Sequence, residues 1–136
     1  MAQTDVTKGR ETMQSVGMAA GGLRGILDGL LKVAGVVAAL VVGRDGFVIE
    51  AAAVNTLDTD SVGAIAASSL AASDAMGEAL TLGALDTILI EYEQGPVALT
   101  PAGPDAVLAV VGDQHANLGR VRVEMRKVRQ AVANQL

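Results

Sequence analysis

The chain has 136 residues, no cysteine, no Trp, one Tyr, one Phe, a 51% hydrophobic composition and a net charge of −5. Disulfides and thiol chemistry are therefore excluded, and the aromatic platforms on which single-stranded nucleic acid stacks are missing. The acidic balance argues against nucleic acid as a partner, and the length fits one domain with a core of Ala, Val, Leu and Ile.

Residues 1–20 are polar and weakly periodic, which predicts a flexible N-terminal arm ahead of a domain spanning 21–136. The opening MAQTDVTKGRETMQSV lacks the apolar centre of a signal peptide. No segment reaches about 18 consecutive apolar residues, so no integral membrane association is expected, and the expected location is cytoplasmic. In GGLRGILDGLLKVAG, apolar residues at 23, 26, 27, 30, 31 and 34 recur at helical spacing, with Gly35 as the stop. VVAALVV (36–42) is continuously apolar and reads as a strand buried on both faces. FVIEAAAV (47–54) should pair with it after a tight turn, because Asp45-Gly46 between two apolar runs is a hairpin signal.

LDTDSVGAIAASSLAASDAMGEALTLG reads as a long second helix, capped by Asp58 or Thr59 and stopped at Gly83. Val62, Ile65, Ser69, Ala72, Met76 and Leu80 form its expected core stripe. LDTILIEYEQG alternates as a half-exposed strand, PVALTPAG is a short strand with prolines at its ends, and DAVLAVVG (105–112) is a second buried strand. A last helix is expected from near Asp113, with a stripe at Leu118, Val121, Met125, Val128, Val132 and Leu136. This order predicts an α+β fold: a five-stranded antiparallel sheet with helices 1 and 3 on one face and helix 2 on the other. From Asp45 through Gly119 there is no Lys or Arg, whereas eleven acids fall there, so helix 2's side is expected to be acidic and helix 3's basic.

The helix LRGILDGLLKVAG, the turn GRDGFVIEAA, the small-residue helix, the segment DTILIEYEQGPVALTPAGPDAVLAVVG and the final helix together resemble the roadblock/LC7 family, which includes the dynein light chain and bacterial MglB-type proteins. The resemblance covers roughly residues 21–136 and implies profilin-like layers in a non-catalytic dimer. It also implies sheets joined edge to edge through the third strand, with helix 2 packed across the seam. Bacterial members of the family act with a small Ras-like (MglA-type) GTPase, some as its activating protein, so such a GTPase is the expected partner. The alternative is a scaffold that pairs with other roadblock chains and has no GTPase-directed activity.

The residues speak to self-association independently. Gly63, Ala66, Leu70, Ser73 and Gly77 form a second, small-residue stripe on helix 2, read as a groove for another helix with Leu70 as its knob. TILIEY is long, β-branched and free of Pro, and such an edge invites pairing unless Glu91 and Glu93 blunt it. Thr87, Leu89 and Glu91 are therefore placed with the stripe in the expected dimer interface. Leu70, Asp74 and Glu78 are placed on the partner-binding side of helix 2.

Catalytic and ligand motifs are rejected one by one. Gly43-Arg44-Asp45-Gly46 lacks the Lys-Ser/Thr of a phosphate loop, and a strand follows it. His115 is the only histidine, is expected in the first turn of helix 3, and has no metal-ligand partner at helical spacing. The serines of SSLAASD have no nearby base. Asp58 and Asp60 read as helix cap and first turn, Glu91 and Glu93 as a solvated face. The basic run of helix 3 reads as solvated too, or as a dock for an acidic partner or anionic membrane surface. No cofactor and no metal is expected.

Overall fold

A computed structural model describes residues 22–136. The polar arm expected at 1–20 lies outside them. The elements are α1 (Gly22–Leu31), β1 (Val36–Gly43), β2 (Val48–Ala53), α2 (Thr59–Ala79), β3 (Ile88–Tyr92), β4 (Gly95–Pro101), β5 (Ala106–Gly112) and α3 (Leu118–Asn134). All pairings are antiparallel, and the strand order is β2-β1-β5-β4-β3. The central strands β1 and β5 are the continuous apolar runs, because a strand covered on both faces has no solvent side to make polar. β2 and β3 are the two edges, and α2 carries the chain from one to the other.

Alternation along β1 divides the interior into two cores. Ala39 and Val41 meet Leu27 and Leu30 of α1 and Val121, Met125 and Val132 of α3. Ala38, Leu40 and Val42 meet Ala66, Ala67 and Leu70 of α2. Helices 1 and 3 therefore share one face and helix 2 takes the other, as the sequence pattern predicts.

The β1–β2 turn has a three-residue loop. Gly43 N–H donates to the Phe47 carbonyl (2.8 Å), Gly46 N–H to the Gly43 carbonyl (2.9 Å), and Phe47 N–H to Asp45 Oδ1 (3.1 Å). Gly46 holds φ +93°, the left-handed conformation that closes such a loop at no steric cost.

Three helix ends differ from the sequence reading. α1 stops at Leu31, short of Gly35, its end tightening as Lys32 N–H donates to the Gly29 carbonyl (3.2 Å) and Val33 N–H to the Leu30 carbonyl (3.1 Å). α2 stops at Ala79, short of Gly83, because Thr81 takes the left-handed conformation (φ 56°) and closes the end itself. Leu82 N–H donates to the Gly77 carbonyl (2.9 Å) and Thr81 N–H to the Glu78 carbonyl (3.1 Å), the bond pair that glycine usually enables one residue past a helix. α3 begins at Leu118, capped by Asn117 Oδ1 on Arg120 N–H (2.9 Å), rather than near Asp113. Asp113 instead builds a turn, its carboxylate accepting from His115 N–H (2.8 Å) and its carbonyl from Ala116 N–H (3.0 Å), so His115 precedes the helix.

A β-branched residue at positive φ is strained. Thr81→Gly should therefore raise stability by about 0.5–1 kcal/mol in denaturant unfolding, strain relief exceeding the entropy added to the unfolded chain. An unchanged or lowered midpoint would show that Thr81 bears no strain.

Candidate functional site

Among the described residues no group of three or more His, Asp or Glu side chains gathers as a metal site. The features that remain for function are surfaces, and they concentrate where α2 meets the edge strand β3. α2 starts on Asp58, whose carboxylate accepts from Ser61 Oγ (2.8 Å) and Ser61 N–H (3.1 Å). These bonds hold the Asp58 carboxyl below its usual range, the side-chain bond contributing most.

The two stripes on α2 depart from the sequence expectation. Gly63, Ala66 and Leu70, expected to meet a second helix, are buried against the chain's own sheet, with Leu70 at 0% exposure. Leu70 is therefore neither a dimer knob nor a partner contact. A Cβ on Gly63 would lie 2.7 Å from Val48 Cγ2 and 3.4 Å from Val42 Cγ2, so the small residues serve close approach of helix to sheet within one protomer. Ser73 and Gly77 continue that stripe, half-buried, beside the connection to β3. The stripe expected in the core meets the sheet only at its start, where Val62 is half-buried against the core and Ser69 half-buried; beyond it Ile65 is 65% exposed, Met76 61%, and Ala72 and Leu80 are also exposed.

Between this outer face and β3 runs an apolar groove of about 210 Å³, lined by Val62, Ile65 and Ser69 of the helix and by Ile90 and Tyr92 of the strand. Leu89 and Glu91 lie exposed on β3, and Thr87 sits half-buried just before it. Asp74 is half-buried and engaged by Arg44 of the β1–β2 turn at 2.8 Å, whereas Glu78 is exposed. Arg44 thus brings a cation to the side expected to be acidic. Asp86 does the reverse, carrying an acid to α3's side.

The two sheet edges are treated differently. On β2 the register shifts between Val41 and Val42, leaving Ile49 as a bulge, and Arg24 Nη1 of α1 donates to the Ala51 carbonyl (2.8 Å). Bulges and capped backbone groups are how proteins blunt an edge. β3 pairs with β4 over all five residues without a register shift, and among the described residues no side chain donates to its backbone.

The start of β3 is fixed by a contact that sequence reasoning missed. Arg129 of α3 donates to Asp86 Oδ1 (2.7 Å), to the Asp86 carbonyl (3.2 Å) and to Thr100 Oγ1 (3.0 Å). The fully buried Thr100 hydroxyl in turn donates to the Asp86 carbonyl (2.9 Å). The Arg129 hydrogen bond, with Arg126 and Arg122 nearby, holds the Asp86 carboxyl below its ordinary value of 3.8. The signal in the sequence was the spacing of Arg122, Arg126 and Arg129, one flank of a helix.

Comparison with known proteins was consistent. The family profile of the Roadblock/LC7 domain matches residues 24–112. Two uncharacterised proteins of Methanocaldococcus jannaschii are 31% identical over 107 residues (79% of this chain, 93% of that protein) and 32% identical over 102 residues (75% and 89%). Among solved structures, an MglB with a tetrameric arrangement superposes with a TM-score of 0.78 at 25% identity, covering 85% of this chain and 90% of that one. The gliding protein MglB of Thermus thermophilus gives 0.75 at 24% (82% and 85%), and a Roadblock/LC7 domain of Streptomyces avermitilis 0.74 at 20% (80% and 92%).

Two predictions follow from this geometry. Leu70→Ala should cost about 2–5 kcal/mol, as a buried leucine does. Ile65→Ala, measured at low protein concentration, should stay within about 0.5 kcal/mol. Equal costs would contradict the assignment of inner and outer faces. The stability that Asp86 gains from Arg129 is complete above the ordinary Asp value and is lost as pH falls through the lower folded value. Asp86→Asn should therefore lower the melting temperature at neutral pH and shrink its fall on acidification; an unaltered pH profile would contradict the contact.

Proposed function

The chain belongs to the Roadblock/LC7 family, and on that premise we propose that it is a non-catalytic homodimeric regulator that binds a small Ras-like GTPase and modulates its hydrolysis cycle. The observation that carries this reading is the flat, uncapped edge of β3 beside the apolar outer face of α2. A strand left open next to exposed Ile65 and Met76 is stabilised by a second copy, which pairs the backbone and covers the groove together. The fold likeness to MglB and membership of a family whose bacterial members act with a Ras-like GTPase support a GTPase as the partner. The proposed partner surface is the outer side of α2, including Asp74 and Glu78, doubled by the twofold.

In this reading the protein acts by reshaping the GTPase rather than by supplying groups to the nucleotide. α2 has no Lys or Arg of its own, its outer side carries Asp74 and Glu78 beside the apolar residues, and Arg44 of the β1–β2 turn is held by Asp74. Light scattering should report a dimer for the unaltered chain and a shift toward monomer for Ile65→Asp, with the circular dichroism spectrum retained. The purified dimer should bind a Ras-like GTPase from the same organism and change its hydrolysis rate. A monomer at all concentrations would overturn the dimer. Capture of other roadblock chains alone, with GTPase rates unaffected, would favour the scaffold function instead.

A further inference from the structure

The edge of β3 carries opposite charges at its two ends. At its start, three arginines converge on one carboxylate: Arg129 at 2.7 Å, Arg126 at 3.3 Å and Arg122 at 3.9 Å from Asp86. Arg129 is fully engaged, with three acceptors. Arg122 and Arg126 share the single oxygen Oδ2 and remain 44% and 43% exposed. One negative charge against three positive leaves an excess of two.

At the other end stand Glu91 and Glu93, both exposed, and neither has an ion-pair partner among the described residues. Ile90 and Tyr92 line the groove under α2. Alternation therefore turns Leu89 and Glu91 toward the opposite face, the one that carries α3 and its arginines.

An edge that is positive at its start and negative at its end is complementary to itself reversed. Antiparallel pairing about a twofold axis brings the start of one β3 to the end of the other. We propose that, when two copies of this chain join along β3, the partner's Glu91 and Glu93 neutralise Arg122 and Arg126, twice per dimer, and so set the register of the seam. This rests on the homodimer proposed above and adds to it the residues that align the strands.

The register follows from the same reasoning. Pairing centred on Ile90 sets Leu89 opposite the partner's Glu91 and Thr87 opposite the partner's Glu93, beside the arginines. On the other face it sets Ile88 against the partner's Tyr92 and Ile90 against its own copy, an apolar row continuous with the α2 groove. A seam centred on Glu91 would oppose that residue with its own copy, and like charges directly opposite are destabilising.

The test uses two full-length variants, one with Glu91→Lys and Glu93→Lys, the other with Arg122→Glu and Arg126→Glu. Both keep Arg129 and its tether. Each alone should dimerise roughly 10- to 100-fold more weakly than the unaltered chain, because like charges then meet across the seam. Mixed, they should associate at the unaltered level and as heterodimers, read by native mass spectrometry and sedimentation. If the arginine variant misfolds by circular dichroism, Arg122→Gln with Arg126→Gln replaces it. That gentler pair should still weaken self-association and should abolish its salt dependence. Variants that dimerise with unaltered affinity, or a mixture with a merely statistical spread of species, would overturn the charge-set register while leaving the dimer standing. An unaltered chain that never dimerises would overturn the homodimer itself.

Discussion

The distance at which α2 lies on the sheet governs the rest of this surface. Gly63 has no room for a Cβ beneath it, since Val48 and Val42 already occupy that space. With the helix that close, Ala66, Ala67 and Leu70 fill the gap to β1, β4 and β5, with Val62 packed at the margin. Ile65 and Met76 then have no place inside. They turn outward because the small ones have taken the core, and the apolar groove beside β3 is the consequence.

The edge strands complete the asymmetry. One is bulged at Ile49 and capped by Arg24, and the other is straight and open. α3 adds a third element: through Arg129, Asp86 and Thr100 it holds the segment leading into β3 and deposits positive charge beside it. A strand held at its start, open along its edge, apolar on one face and charged at both ends on the other has the features of a self-complementary seam. The turn at Gly43–Gly46 contributes Arg44 to the neighbouring surface, where it pairs with Asp74, so that turn is more than a chain reversal.

Much of this was legible in the sequence. The buried strands announced themselves as apolar runs, the α3 stripe by its spacing, and the cap at Asp58 by its position before an apolar run. The α2 faces were not legible. Both stripes of that helix are built from Ala, Gly, Ser and a few large residues, so periodicity alone cannot say which one faces inward. The sheet decides, through close packing at Gly63. Thr81 hid the end of α2 by adopting a conformation usually left to glycine. The tether at Asp86 was hidden because its arginine lies 43 residues along the chain, and only the folded layers bring them together.

Amide hydrogen exchange along the two sheet edges tests the account most directly, because it reads the seam itself. With rising protein concentration, the backbone amides of β3 around Leu89 and Glu91 should gain protection that is lost on dilution, while those of β2 stay unchanged. Amides of β3 that exchange freely at every concentration, or protection that grows on β2 instead, would contradict it.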